Sequence, residues 1–384
     1  MSEKKLSPAS LAAQAMGFVD PTTRAVVPPV HRASTYLRDE DNAYRSGHIY
    51  ARADNPTFRH AEATLAALEG GAAAMIFSSG MSAATACFLA LRPGNHVVAP
   101  QVMYWSLRNW LQGFATDWGL KVEFVDGADT AAFAAAIRPG TTKLVWVETP
   151  ANPLWTVTDI AAVAEATHRA GARLAVDSTV ATPVLTRPLS LGADIVMHSA
   201  TKYLNGHSDL IGGALVTARE DEGWAKLRSV RAQLGTVPGP DDAWLLQRGM
   251  RTLFPRVAWA SRSAQALAER FAAHRSIAEV LYPGLPGFAG HTTAARQMQG
   301  GFGGMLSVRV RGGERAAIAT AAAVQLWKRA TSLGGVESLI EHRASVEGAG
   351  SPCPTDLLRL SVGVEDANDL FDDLDQALRR AHNA

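Results

Sequence analysis

Short apolar runs without polar alternation recur through the first half of this chain, at Ala74–Phe77, His96–Ala99, Lys121–Val125, Lys143–Val147, Arg173–Val176 and Asp194–Met197. Alanine-rich stretches of helical period separate several of them, and alanine favours helix strongly. A strand that reads apolar on both faces must be buried on both, so the pattern predicts an α/β fold built on a mostly parallel, doubly wound sheet. Phe58–Glu69 has a helical pattern, and Gly70-Gly71 supplies its stop.

The flanks read differently. Residues 1–48 carry prolines and turn residues with little helical period, as an N-terminal arm draped over other structure would. A large domain is expected over 49–235. From 236 to 384 come long helices, glycine-rich strands in Gly300–Val310 and a final helix–strand–helix, a smaller C-terminal α/β domain. With 384 residues there is material for two domains.

Composition narrows the function classes. The formal charge is +1, which offers no basic stripe for nucleic acid or an acidic membrane surface. Cys87 and Cys353 are the only cysteines, and the eleven histidines show no His-x-x-x-His spacing, so neither a disulfide framework nor a metal site is expected. Lys4 and Lys5 precede an apolar stretch, Leu11–Val19, that Gln14 and Gly17 interrupt, a poor signal segment. No run approaches the roughly 20 apolar residues that span a bilayer. A cytoplasmic location is expected.

Chemistry concentrates where predicted strands end. Lys202 follows the strand that closes at His198, and burial there would strip solvation from its ammonium and favour the neutral, nucleophilic amine. Ser199 and Thr201 flank it with hydroxyls that suit phosphate oxygens, and Gly212-Gly213 lets backbone pass close by. Asp177 ends Arg173-Leu-Ala-Val-Asp177 at the carboxyl edge of the sheet, where ligands bind in open α/β folds; a helix N-cap is its other reading. There it can hold a pyridinium nitrogen protonated. Ser78-Ser79-Gly80-Met81 forms a strand–turn–helix unit whose first free N–H groups make an anion site. Tyr104 can stack on a flat heterocycle or serve as an acid, and Arg52, beside Tyr50, can form a forked pair with phosphate. In Leu358-Arg-Leu-Ser-Val362 the alternation sets Arg359 and Ser361 on the face opposite the leucines.

Several blocks together resemble the Cys/Met-metabolism (trans-sulfuration) family of pyridoxal-5′-phosphate (PLP) enzymes. They are Tyr50-Ala-Arg-Ala-Asp-Asn-Pro-Thr57, Phe77-Ser-Ser-Gly-Met81, Glu148-Thr-Pro-Ala-Asn-Pro153, Val176-Asp-Ser178, Ser199-Ala-Thr-Lys-Tyr203, Gly301-Phe-Gly-Gly-Met305, Ser332-Leu-Gly-Gly-Val-Glu-Ser-Leu339 and Leu358-Arg-Leu-Ser-Val-Gly-Val-Glu365. The resemblance runs from about Val26 to Asp366 and implies the PLP-transferase fold type I. It makes Lys202 the Schiff-base lysine and pairs Asp177 with the pyridine nitrogen. It stacks Tyr104 on the ring, sets Asn152 near the phenolic oxygen, and gives the phosphate to Gly80, Met81, Ser199 and Thr201. Tyr50 and Arg52 would come from a neighbouring subunit, so a homo-oligomer is implied, a tetramer of active-site dimers in this family. Ser332 and Arg359 would grip the substrate α-carboxylate, and Glu337 would help select the substrate.

The implied activity is a carbon–sulfur lyase acting on cystathionine or a related sulfur amino acid by β- or γ-elimination. The alternative is a cystathionine γ-synthase joining cysteine to an activated homoserine ester. Leu333-Gly-Gly-Val-Glu337 resembles γ-acting members, and Ser106 stands where methionine γ-lyases have cysteine. Two stretches depart from the family pattern: Trp105-Ser106, where small residues are common, and Arg343–Pro354, which replaces Pro-Ala-Ser-Met-Thr-His.

Overall fold

The computed structural model describes residues 6–348 and 351–383. Lys4 and Lys5, the rest of the first five arm residues, and Ala349-Gly350 of the departing segment lie outside the described residues, as does Ala384.

Seven strands form the larger sheet: β1 (Ala73–Phe77), β2 (His96–Pro100), β3 (Lys121–Val125), β4 (Thr142–Glu148), β5 (Arg173–Asp177), β6 (Ile195–His198) and β7 (Gly213–Thr217). Their order is β1-β7-β6-β5-β4-β2-β3. Every pairing among β2 to β6 is parallel, and only β7 runs antiparallel, to both β1 and β6. The six strands expected from the sequence are all present, and the mostly parallel α/β sheet with them. Strand β7 was not anticipated: it opens on two glycines, and an antiparallel neighbour needs no crossover helix to announce it.

Burial on both faces explains the missing alternation. In β1, Ala74 and Ile76 pack into one apolar cluster while Met75 and Phe77 pack into another across the sheet. The helix α1 (Pro56–Glu69) covers the first face; Asn55 caps its start, Pro56 takes the first helical position, and Gly70 ends it with φ +71°. The helix α2 (Gly80–Leu89) lies on the other face.

A second sheet holds β8 (Ile277–Leu281), β9 (Met305–Val310), β10 (Lys328–Arg329), β11 (Leu339–His342) and β12 (Leu357–Ser361), in the order β10-β11-β12-β9-β8. It is antiparallel except at β10–β11. The expected glycine-rich strands reduce to β9 alone. Gly300, Gly301 and Gly303 carry φ of +74°, +142° and +90°, a loop conformation that stops pairing before Met305. The arm also holds more order than its prolines suggested. Ser7 caps a short helix, Pro8–Ala13, whose Ala12 is buried, and further along the arm Pro28 accepts a hydrogen bond from Trp244 Nε1.

Candidate active site

Doubly wound topology brings the segments after β1, β2, β4, β5 and β6 to one edge, where a cavity of about 280 Å³ opens. Lys202, Asp177, Tyr104, Asn152, Gly80, Met81, Ser199 and Thr201 line it from the strand ends of the larger sheet and the segments after them, Arg359 from β12 of the smaller sheet and Ser332 from the loop before β11. Ten of the residues singled out by the sequence thus converge on one cavity.

Lys202 sits in the turn after β6, and its Nζ donates to Ser332 Oγ at 2.9 Å. Burial, with help from the nearby Arg359 and Arg343 cations, pulls its pKa from 10.5 down to about 8, although Glu341 opposes them. Ser332 adopts φ +95°, which a side chain with a Cβ rarely tolerates. From that conformation its hydroxyl meets Lys202 while its carbonyl accepts from Arg359 Nη2 at 2.7 Å.

Asp177 is 8% exposed at the tip of β5. Burial pushes its pKa up, against hydrogen bonds from Thr179 and the attraction of His198 behind it. A buried carboxyl in that state gains from a cation placed against it. Beside it in register, Glu148 ends β4. Its Oε2 accepts from the Tyr104 N–H at 2.6 Å and its Oε1 from the Asn152 N–H at 3.0 Å. Burial and the neighbouring Asp177 raise Glu148 to about 8.

At the α2 terminus the N–H groups of Gly80 and Met81 have no acceptor within the helix. A Cβ on Gly80 would stand 2.8 Å from Ser199 Oγ, and one on Gly213 would stand 2.1 Å from the Ser79 carbonyl oxygen, so the turn is closed around small residues. Thr201 Oγ1 exchanges hydrogen bonds with Gly212, donating at 3.1 Å and accepting at 3.0 Å. These features fit PLP: an amine of lowered pKa, a buried carboxyl for the ring nitrogen, a tyrosine face, and a helix terminus with two hydroxyls for the phosphate.

Arg359 is 4% exposed, which excludes a solvent-facing strand charge. Its guanidinium reaches Glu341 Oε2 at 2.7 Å and Asn152 Oδ1 at 3.3 Å. Burial lowers its pKa to about 10. Glu337 lies off the main cavity, in an adjoining cleft that shares Thr201, Ile211, Thr331 and Ser332 with it, and takes a hydrogen bond from Ser208. Tyr50 and Arg52 are not brought to the cavity of their own chain. They line a separate surface cleft, where Arg52 donates to the Ala232 carbonyl. Of the departing stretches, Arg343 faces the cavity while Trp105 and Ser106 do not line it.

Four participants escaped the sequence reading: Glu148, Thr179, Glu341 and Arg343. Glu148 carried a usable signal, since it is a carboxylate closing a buried strand, as Asp177 is. The other three gain meaning only from pairings across the fold.

Among the described residues no helix is long and apolar enough to cross a membrane. The chain is 50% identical over 380 residues to cystathionine gamma-synthase of Mycobacterium tuberculosis, with 97% of this chain and 96% of that protein covered. It is 39% identical over 367 residues to cystathionine gamma-lyase of Dictyostelium discoideum, covering 94% of each. Its fold matches the crystal structure of cystathionine gamma synthase from Xanthomonas oryzae pv. oryzae in complex with aminoacrylate and cysteine, at TM-score 0.94 and 38% identity over 99% of this chain and 100% of that one. The family model of the Cys/Met metabolism PLP-dependent enzymes matches residues 9–379, and the chain belongs to that family.

Proposed function

We propose that this protein makes or breaks the carbon–sulfur bond of cystathionine or a related sulfur amino acid. The observation that carries the proposal is one cavity holding a lysine of lowered pKa, a buried carboxyl and a buried arginine, Lys202, Asp177 and Arg359. When bound, PLP supplies an aldehyde that condenses with amines and a ring that accepts electrons released at the substrate carbons.

The side chains divide the remaining work. Arg359, with Ser332, takes the α-carboxylate and so fixes which substrate bonds face Lys202. Lys202 Nζ removes the Cα proton; an amine of pKa about 8 is suited to taking and returning protons near neutral pH. With PLP bound, Asp177 would keep the ring nitrogen protonated, and Asn152 would serve the phenolic oxygen. Tyr104, anchored at its N–H by Glu148, would stack on the ring and pass a proton to the departing group. Ser199, Thr201 and the α2 terminus would hold the phosphate, and Glu337 would sort substrates from the adjoining cleft.

Elimination and replacement share these steps up to departure of the γ substituent. They part at whether water or a cysteine thiol meets the remaining fragment. The relative at 50% identity is named a synthase, which favours replacement on an activated homoserine ester. The Dictyostelium relative, named a lyase, keeps elimination of cystathionine as the second reading. Product analysis decides. Release of 2-oxobutanoate and cysteine from cystathionine alone marks a γ-lyase. Cystathionine formed from cysteine and a homoserine ester marks the synthase. Pyruvate and homocysteine from cystathionine would mark β-elimination, and turnover in none of these combinations would end the proposal.

We also infer that the active site is completed by a second subunit. Tyr50 and Arg52 lie on their own chain's separate cleft, with Tyr50 half exposed, as residues serving a neighbour would. Mixing and reassembling inactive Lys202→Ala and Arg52→Ala proteins should regain activity, because hybrids hold one intact site. Persistent inactivity of verified hybrids would refute sharing. The larger unit is proposed to end near residue 235, between the last strand of the first sheet and the first strand of the second.

A further inference from the structure

Arg343, the first residue of the departing segment, places a second guanidinium on the cavity wall. Arg343 is 4% exposed. Nε donates to Glu347 Oε1 at 2.7 Å and Nη1 to Glu341 Oε2 at 3.1 Å. That same Glu341 oxygen lies 2.7 Å from Arg359 Nη2. The other oxygen, Glu341 Oε1, is buried without a partner among the described residues. Two arginines therefore share one carboxylate oxygen, and two glutamates balance two arginines, so the buried cluster is neutral.

The sharing has a chemical consequence. A carboxylate facing a single guanidinium forms a forked pair with both oxygens engaged. Such a pair would occupy two donors of Arg359 and neutralise it, and an incoming carboxylate would have to compete inside a poorly solvated cavity. Here Glu341 meets both guanidiniums through the same oxygen, 3.1 Å from Arg343 Nη1 and 2.7 Å from Arg359 Nη2, and so touches Arg359 through one oxygen only. Glu347 compensates Arg343, so this is achieved without adding net charge.

We propose that Arg343 is a positioning residue for carboxylate recognition, sharing Glu341 with Arg359 so that Glu341 holds Arg359 at Nη2 alone and leaves its remaining N–H groups to receive the α-carboxylate of an amino-acid substrate. The proposal rests on the reading of Arg359 as the carboxylate grip.

The test uses the PLP-loaded protein and two ligands, glycine and glycinamide, which differ in the carboxylate and need no turnover. Binding is followed by calorimetry. In the double variant Arg343→Met/Glu347→Met, which keeps the cluster neutral, glycine should weaken on the order of tenfold relative to glycinamide. Glu347→Gln should act in the opposite sense: Arg343 then leans wholly on Glu341, and glycine tightens relative to glycinamide. Arg343→Lys should restore part of the preference. A folded double variant with unchanged glycine preference, or with both ligands weakened alike, would overturn the proposal. Should the double variant not fold, Arg343→Gln/Glu347→Gln, which also keeps the cluster neutral, takes its place with the same expected and overturning results. Arg359→Met serves as the separate control: if it leaves the preference for glycine intact, the reading of Arg359 fails, whatever Arg343 does.

Discussion

The lowered pKa of Lys202 has a kinetic consequence that can be worked out. With a pKa of about 8 in place of 10.5, roughly one amine in ten is neutral at pH 7, against about one in three thousand for an ordinary lysine. Cofactor-free protein should therefore capture PLP through Lys202 roughly 300 times more readily than an unperturbed amine, on the count of neutral nucleophile alone. The rate should climb about tenfold per pH unit below 8 and level off above it. Growth of the absorbance band between pH 6 and 10 measures this. Dividing by the rate for Nα-acetyl-lysine, taken under the same conditions, removes the titration of PLP itself. Arg359→Met should move the midpoint upward, because that cation helps hold the ammonium form down. A midpoint near 10.5 in the native sequence, or no response to Arg359→Met, would refute the reasoning. Stability carries the same signature. Below pH 8 the fold bears the cost of a poorly solvated ammonium. That cost fades between pH 8 and 10.5, where the unfolded chain binds the proton and the folded chain does not, so this group makes stability rise with pH across that window.

Further outcomes follow from other parts of the site. Asp177→Asn should lower kcat on the order of 10²-fold while leaving PLP capture by Lys202 nearly intact, read by turnover assay and absorbance side by side. Glu148→Gln turns an N–H₂ donor towards one of two N–H groups, Tyr104 or Asn152, and should cost about 1–3 kcal/mol of stability along with a drop in turnover, checked by denaturant titration and activity. Gly213→Ala pushes a methyl against the Ser79 carbonyl, which cannot retreat without moving the α2 terminus. It should destabilise by about 1–3 kcal/mol and weaken inorganic phosphate as a competitor of PLP binding.

Much of this site could be read from the chain because parallel sheets leave a strong trace. Strands buried on both faces announce themselves as apolar runs, and the residues just past their carboxyl ends share one edge by topology. Lys202, Asp177 and Gly80 were legible for that reason. Arg359 followed from the period of a strand, although its burial beneath Ser332 and Asn152 did not. What escaped depends on contacts between segments far apart in sequence. Glu341 and Arg343 are two residues apart, yet their role appears only when β12 pairs with β11 and sets Arg359 opposite Glu341. Strand β7 lacked a helix before it, and the positive φ of Ser332 has no marker in a residue type that seldom adopts it.

The account stands on the amine of Lys202 in one cavity with Asp177. Borohydride reduction of the PLP-loaded protein, followed by peptide mass mapping, tests it most directly. The pyridoxyl mass should appear on the peptide that contains Lys202 and on none that contain the six other lysines. Labelling elsewhere with Lys202 unmodified, or no label despite bound PLP, would contradict it.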